Sequence, residues 1–232
     1  MILVADSHLT DRHPKRDEFF AMLARLEETG EDLVLLGDIL DLWLGARRFG
    51  TETGRRLRDW CRRELPRRRI GLLEGNHEFY VGAHHAACFS FWSPREWREG
   101  ELLFAHGDLV NRRDRGYRLL RLATKNPLSR LFFGCVPGGR CLVHAIKRRF
   151  ERAGRQRPKY LPEEAVREYA ERWFARGVRR IFLGHFHREY RYGRAGEGGG
   201  ECLVVPSWQA TGMVARYDPV RHQADIIPWR DI

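Results

Sequence analysis

The sequence predicts an α/β fold, because short apolar runs alternate along the chain with amphipathic helical segments. Five runs of three or four apolar residues are each followed at once by glycine or by a polar residue. Runs this short, with such boundaries, are typical of fully buried strands. The five runs are residues 2–5, 33–36, 70–73, 102–105 and 181–183.

Two helices are predicted between these strands. Apolar residues recur at helical spacing over residues 19–26, and Gly30 follows them as a stop signal. Pro162 opens the second helix, whose apolar face extends over residues 166–174 and which ends before Gly177. Strands that alternate with helices in this way place the polar residues just past the strand ends in one site.

The C-terminal part of the chain reads as strands. Residues 202–205 and 213–218 flank a turn at residues 206–208, and we expect both runs to complete a second sheet. The glycine-rich tract at residues 193–200 predicts a flexible hairpin loop.

The whole chain, residues 1–232, is expected to form one domain with an insertion at residues 109–160. Hydrophobic residues make up 43% of the sequence, as in a folded globular protein. The insertion lacks the strand pattern and reads as basic amphipathic helices, broken at residues 126–127 and 137–139. We interpret it as a helical cap over the site.

The positive charge is concentrated in that insertion. Between Asn111 and Lys159 the chain has 15 Lys or Arg and two acids, a balance of +13, whereas the net charge of the whole chain is +11. The rest of the chain is therefore close to neutral. A concentrated basic segment is attracted to phosphate groups, in an anionic membrane or in nucleic acid.

The sequence contains no apolar stretch of the roughly 18 residues that could cross a bilayer, and no signal-peptide pattern at residues 1–10. We therefore expect a cytoplasmic protein. The five cysteines are an odd number and none is in a CxxC pair, which argues against a disulfide framework and a zinc ribbon.

Aspartate, asparagine or histidine follows all five predicted strands. The candidate metal ligands are Asp6, His8, Asp38, Asn76, His106, His185 and His187. A single aspartate or histidine at a strand end is more often a structural hydrogen-bonding group, but five such positions in one chain are difficult to explain in that way. Carboxylate, amide oxygen and imidazole together suit divalent ions such as Mn²⁺, Fe²⁺ or Zn²⁺.

These motifs form a recognisable set. In chain order they are DxH at 6–8, GDxxD at 37–41, GNHE at 75–78, HG at 106–107 and GHxH at 184–187. The set resembles the calcineurin-like metallophosphoesterases over essentially the whole chain. The resemblance implies a β-sandwich of two mixed sheets flanked by helices, and a hydrolase that uses two divalent metal ions, with Mn²⁺ the expected ion.

The resemblance also assigns roles to the motif residues. One ion would be bound by Asp6, His8, Asp38 and His187, and the second by Asp38, Asn76, His106 and His185, so that Asp38 bridges the two. His77 would donate a proton or a hydrogen bond to the substrate phosphate, Asp41 would orient His77, and Asn76 would help to stabilise the developing charge. For Asp41 alone, a loop cap is the alternative interpretation.

Two further segments resemble the UDP-2,3-diacylglucosamine pyrophosphatases of lipid A synthesis: residues 36–45 and the start of the insertion from His106 to Phe132. The late segment at residues 204–214 parallels that family too. The resemblance implies cleavage of UDP-2,3-diacylglucosamine to UMP and 2,3-diacylglucosamine 1-phosphate. The substrate contacts carried over are Asp114, Tyr117, Arg157 and Lys159. His77 and Asp41 depart from this family's usual Arg and Glu, and instead follow the general Asp–His pair.

The implied substrate is a lipid-linked nucleotide diphosphate, so the protein would act at the inner face of a membrane as a peripheral protein. One alternative is a phosphoesterase that acts on a nucleotide or a phosphoprotein. Another is a nuclease or nucleic-acid-binding protein that uses the basic segment, although that segment has no aromatic stacking platform. A non-catalytic scaffold is disfavoured, because every ligand position is kept. Oligomeric state is not predicted.

Overall fold

The computed structural model describes residues 1–126, 161–194 and 199–232. Its larger sheet has six strands, one of which is formed by the first residues of the chain. In sheet order these are β13 (Gln223–Pro228), β12 (Met213–Asp218), β1 (Ile2–Val4), β2 (Leu33–Leu35), β4 (Ile70–Leu73) and β6 (Phe91–Ser93). The last four strands are parallel, whereas β12 and β13 are antiparallel and form one edge.

A second sheet has five strands. In sheet order these are β10 (Tyr190–Gly193), β11 (Glu201–Val204), β9 (Arg180–Leu183), β8 (Leu102–Ala105) and β7 (Glu96–Glu99). The three central strands are parallel and the two edge strands are antiparallel. A short pair, β3 (Trp43–Leu44) and β5 (Glu78–Phe79), joins two of the motif loops.

The described α-helices are α1 (Arg16–Glu27), α2 (Glu52–Glu64), α3 (Val81–His84), α4 (Arg115–Thr124), α5 (Glu163–Phe174) and α6 (Trp208–Thr211). Helices α1 and α2 pack against the outer face of the six-stranded sheet, and α5 packs against the outer face of the five-stranded sheet. Within the described ranges, none of the helices is both long and apolar enough to span a membrane.

Alternation along each strand divides the core into layers. Leu3 and Val34 point into the space between the sheets, where they meet Phe104 and Phe182 of the second sheet. Ile2 and its alternate neighbours instead face α1 and α2 on the outer side. The two sheets therefore pack face to face, with a helical layer outside each, which confirms the predicted sandwich.

All five predicted strands and both predicted helices are present. The prediction that residues 202–205 and 213–218 complete one sheet is wrong. Strand β11 lies in the five-stranded sheet, but β12 pairs with β1 in the six-stranded sheet. The intervening helix α6 carries the chain from one sheet to the other, a change of partner that strand patterns do not encode.

Part of the predicted insertion is described. Helix α4 lies in it, and Asp114 caps the helix by accepting a hydrogen bond from the Tyr117 N–H at 2.9 Å. Residues 127–160 of the predicted cap, and residues 195–198 of the glycine-rich tract, lie outside the described part of the chain.

Candidate metal centre

The parallel strands bring the polar motifs to one edge of the sandwich. Asp6, Asp38 and Asn76 follow β1, β2 and β4, which are adjacent and parallel in the first sheet. His106 and His185 follow β8 and β9, which are adjacent and parallel in the second. The carboxyl ends of both sheets therefore meet at one cleft, as the sequence predicted.

The first cluster consists of Asp6, His8 and His187. Asp6 Oδ1 lies 3.3 Å from His187 Nε2 and 3.8 Å from His8 Nε2, and the two imidazole nitrogens are 3.4 Å apart. Asp6 Oδ2 accepts a hydrogen bond from the His185 N–H at 2.7 Å. Asp6 Oδ1, by contrast, is buried and accepts no hydrogen bond. A cation beside Oδ1 would complete its bonding.

The second cluster consists of Asp38, His106 and His185. His106 Nε2 lies 3.4 Å from Asp38 Oδ2 and 3.2 Å from Asn76 Oδ1. The rings of His106 and His185 are edge-on, with centroids 5.1 Å apart. Four predicted ligands are therefore close enough to surround one ion.

Asp38 lies between the two clusters. Its Oδ1 accepts a hydrogen bond from the His77 N–H at 2.9 Å. Its Oδ2 faces three imidazole Nε2 atoms, those of His106 at 3.4 Å, His77 at 3.6 Å and His8 at 4.0 Å. One oxygen therefore holds the loop and the other points at both clusters, which is the arrangement that a bridging carboxylate needs.

The tautomer of His106 suits a metal ligand. Its Nδ1 lies 2.8 Å from the Leu36 carbonyl oxygen, so Nδ1–H donates and Nε2 is the nitrogen left to bind a metal ion or a proton. Nε2 faces the carboxylate of Asp38 and the amide oxygen of Asn76, which are both acceptors. Acceptors that converge in this way repel one another unless a metal ion or a proton lies between them. The residues present therefore fit divalent metal ions.

The backbone at the site is strained. Among the described residues, seven other than glycine have positive φ, and five of them are predicted ligands: Asp6, His8, Asp38, His185 and His187. Such conformations cost on the order of 1–3 kcal/mol each and cluster at functional sites. Close packing maintains them: a Cβ added at Gly75 would lie 2.3 Å from Asp38 Oδ1.

The site is also electrostatically polarised. Burial lowers the pKa of His8 and of His185 to about 4, which keeps both imidazoles neutral and available as ligands. Burial opposes ionisation of Asp38 as well, but His77 and His106 outweigh it and hold the pKa of that carboxyl well below its usual value. Burial likewise opposes the charge of His106, yet Asp38 raises the pKa of His106 to about 10. The metal-free site therefore holds a proton on His106 where a cation would bind.

Comparison with known families agrees with this geometry. The model of the calcineurin-like phosphoesterase family matches residues 2–189, which include all seven predicted metal ligands. The chain belongs to this family. It is therefore a metal-dependent phosphoesterase, and its two clusters suit a site for two metal ions.

The phosphoesterase also resembles curated proteins over most of its length. It is 30% identical to the UDP-2,3-diacylglucosamine hydrolase of Ectopseudomonas mendocina, with 94% of each chain covered. It is 29% identical to the protein of the same name in Pseudomonas syringae pv. tomato, over 94% of this chain and 92% of that one. A third, from Azotobacter vinelandii, is 26% identical over 94% of both.

His77 lies at the rim of the phosphoesterase site, and its side chain is 18% exposed. Its Nδ1 donates to the main-chain carbonyl of Asp41 at 2.6 Å, which turns Nε2 toward Asp38. This hydrogen bond orients His77 through the backbone of residue 41, and any side chain at that position could provide it. A role of the Asp41 carboxylate in orienting His77 stays a prediction.

The predicted substrate contacts occupy different places. Asp114 is an exposed helix cap, and the Tyr117 hydroxyl donates to the Asp108 carboxylate. Both side chains therefore have partners within the protein, and their contact with substrate stays a prediction. Arg157 and Lys159 lie outside the described residues.

Glu78, which the sequence pattern did not mark as a site residue, holds the two central loops together. Glu78 is fully buried, and its carboxylate accepts hydrogen bonds from the N–H groups of Asp38 and Ile39 at 2.8 Å and of Gly75 at 2.9 Å. Burial raises the pKa of Glu78 to about 8. The only signal in the sequence was a glutamate directly after Asn76-His77, where the pattern gives no hint of backbone contacts.

Proposed function

We propose that the phosphoesterase hydrolyses the diphosphate of UDP-2,3-diacylglucosamine to UMP and 2,3-diacylglucosamine 1-phosphate, with two divalent ions, Mn²⁺ being the expected species. The observation that carries the proposal is the similarity to hydrolases named for that substrate, which covers 94% of the chain. The similarity therefore extends across the insertion as well as the metal motifs, and the insertion is where we expect specificity to reside.

Two sets of residues would bind the two ions. Asp6, His8, Asp38 and His187 would hold one ion, and Asp38, Asn76, His106 and His185 the other. When bound, two divalent ions polarise the phosphoryl group and lower the pKa of the attacking water. The neutral imidazoles of His8 and His185 are ready to act as ligands without first losing a proton.

His77 would act on the substrate. Its ring stands edge-on to His8, with centroids 4.7 Å apart, and its Nε2 faces the cleft. Because Nδ1 is fixed by the carbonyl of Asp41, Nε2 is positioned to donate to a phosphate oxygen, or to protonate the leaving group. The Asn76 amide, held beside His106, would add a donor for the developing negative charge.

The direct test is turnover. Purified protein with Mn²⁺ should release UMP from UDP-2,3-diacylglucosamine in detergent micelles, measured by chromatography. Parallel reactions with a simple nucleotide, a phosphopeptide and single-stranded DNA would test the alternative substrates, since the chemistry of the site is common to all of them. Turnover of the lipid substrate no faster than that of these three would overturn the assignment.

We also propose that the enzyme acts at the inner face of a membrane. A groove of about 740 Å³ lies between α4 and α5, and seven arginines line it: Arg95, Arg112, Arg115, Arg118, Arg121, Arg172 and Arg176. Leu119 and Leu122 lie in the same lining and are 68% and 62% exposed. Cations beside exposed leucines on one helix are typical of a surface that binds anionic lipid.

Vesicle sedimentation tests this surface. Replacing Arg112, Arg115 and Arg118 together by serine should release the protein from vesicles that contain phosphatidylglycerol, by on the order of 1 kcal/mol for each charge removed. A matched triple variant at exposed Arg55, Arg56 and Arg62 of α2 should bind as the wild type does. Equal binding by the two variants would contradict the proposed surface.

A further inference from the structure

Helix α4 contacts two loops that carry predicted metal ligands. It begins the segment that the sequence marks as an insertion, so nothing in the motif set requires it to touch the site. Yet polar side chains along the helix and at its C-terminal end reach the Gly75–Tyr80 loop and the loop after His106. The contacts on the two loops differ, and each can be removed separately.

Lys125 makes the first connection. Lys125 is half-buried; its ammonium group donates to the carbonyl oxygen of Gly75 and lies 5.2 Å from the centroid of the Phe79 ring. The N–H of Gly75 is already bound by Glu78 at 2.9 Å. The N–H and the C=O of Gly75 are therefore both held by side chains, one residue before Asn76.

Arg121 and Tyr117 make the second connection. Both donate to the same carboxylate oxygen of Asp108, and Arg121 also donates to the carbonyl of Pro94. Arg121 and Asp108 are both buried, so the pair is shielded from solvent. Asp108 lies two residues after His106, and its position fixes that loop.

A third contact reinforces the first. Tyr80 ends the loop that contains Asn76 and His77, and it has positive φ. Its hydroxyl lies 2.9 Å from the carbonyl oxygen of Thr124 and 2.8 Å from that of Asn126. The end of α4 and the end of this loop therefore hold each other.

The geometry points to a positioning role for helix α4: Lys125 and Arg121 fix the loops of Asn76 and His106, and thereby set the affinity of one metal ion. This inference rests on the proposed two-metal function. Asn76 and His106 are assigned to the same ion, together with Asp38 and His185, whereas none of Asp6, His8 and His187 lies on either loop. Removing the contacts of the helix should therefore lower the affinity for one ion and leave the affinity for the other unchanged.

The charge of Lys125 favours the opposite result, which makes the test informative. A cation near a metal site repels the metal, so its removal alone would tighten binding. Glu74, Asp108 and Glu78 attract the charge of Lys125 and Arg121 repels it, so the ammonium group belongs to a mixed-charge cluster and is not an isolated cation beside the ions. We therefore expect the loss of the Gly75 hydrogen bond to dominate.

The experiment is a calorimetric titration of Mn²⁺ into metal-free protein. Wild type should bind two ions. Lys125→Met should retain one at wild-type affinity and bind the other about 10- to 100-fold more weakly, the usual cost of losing an outer-shell partner. Lys125→Arg should restore much of the lost affinity, and Tyr117→Phe should lower the affinity for the same ion by a smaller factor. Arg55→Met, at an exposed cation of α2, is the matched control and should titrate as wild type does.

Circular dichroism of the metal-free variants separates positioning from folding. Three results for Lys125→Met would overturn the inference: wild-type affinity for both ions, a higher affinity for either ion, or an equal loss of affinity for both. In each case the wild type would still bind two ions and hydrolyse substrate, so the proposed function would stand. A wild-type protein that binds fewer than two ions would overturn the proposed function, and this inference with it. A Lys125→Met chain that fails to fold leaves Tyr117→Phe as the deciding variant, and wild-type affinities there would overturn the inference.

Discussion

The two oxygens of Asp38 have separate tasks. Oδ1 accepts the His77 N–H, whereas Oδ2 faces three imidazole nitrogens within 4.0 Å. Because the carboxylate is almost fully buried, its charge acts at short range with little screening by solvent. The position of one oxygen therefore decides whether the clusters can act together.

Asp38→Ala should abolish turnover while leaving the fold largely intact. Losing metal-based stabilisation of several kcal/mol corresponds to a rate lower by roughly 10³-fold or more. The measurement is the initial rate at saturating Mn²⁺, with circular dichroism as the folding control. A rate close to that of the wild type would mean that Asp38 does not bridge the ions.

Among individual residues, the sequence predicted which side chains are candidate metal ligands, but not which side chains hold the loops of the site through backbone contacts. The ligands could be found because each follows a buried strand, so position along the chain implies position in space. Glu78 and Lys125 could not be assigned, since their partners are backbone groups up to 50 residues away. A side chain that binds a carbonyl or an N–H leaves no pattern in the partner's sequence.

Among the elements, α1 and α2 are joined by one buried arginine. Arg68 follows α2, and its guanidinium bonds Glu64 at 3.1 Å and the carbonyls of Leu26, Thr29 and Glu31 at 2.7–3.2 Å. Three carbonyls at and beyond the end of α1 are thereby satisfied. The pair is shielded, because both side chains are almost fully buried.

Arg68→Met should destabilise the protein by about 3–5 kcal/mol, because it removes the buried cation that is hydrogen-bonded to the Glu64 carboxylate and takes one donor from each of these carbonyls. The measurement is the urea midpoint of unfolding, at constant m-value. Arg67→Met is the control, since Arg67 is largely exposed and lies 3.7 Å from the same glutamate. Similar midpoints for the two variants would show that the buried contacts contribute little.

Elements with strong local patterns were predicted, and those defined by their partners were not. Strands β1, β2, β4, β8 and β9 are apolar runs, so burial alone identifies them. Strand β7 is mostly exposed and polar, and it exists because its backbone pairs with β8. The choice of sheet for β12 was likewise set by β1, which is distant in sequence.

For the whole molecule, buried histidines predict how stability responds to acid. Burial lowers the pKa of His8, His85 and His185 to about 4, below the usual 6.5. As the pH falls from 6.5 to 4, these imidazoles become protonated in the unfolded chain but stay neutral in the folded protein. The folded state therefore loses stability. Glu78 has the opposite effect, because its pKa is raised to about 8 in the folded protein. Between about pH 8 and 4.5 the folded protein holds one more proton on Glu78 than the unfolded chain does, which favours the folded state as the pH falls.

Three histidines outweigh one glutamate, so the metal-free protein should be less stable at pH 5 than at pH 6.5. Each net proton that the unfolded chain binds in excess over 1.5 pH units corresponds to about 2 kcal/mol. The test is the urea midpoint at the two pH values in the presence of a chelator. A midpoint that rises on acidification would mean that these imidazoles are protonated in the folded protein.

The proposed hydrolysis depends on a pair of metal ions held at the carboxyl ends of the two sheets. The most direct test is an anomalous difference map from crystals grown with Mn²⁺. We expect two peaks separated by about 3.5–4 Å, with the carboxylate of Asp38 in contact with both. A map with no peak in this cleft, or with a single peak that does not touch Asp38, would contradict the account.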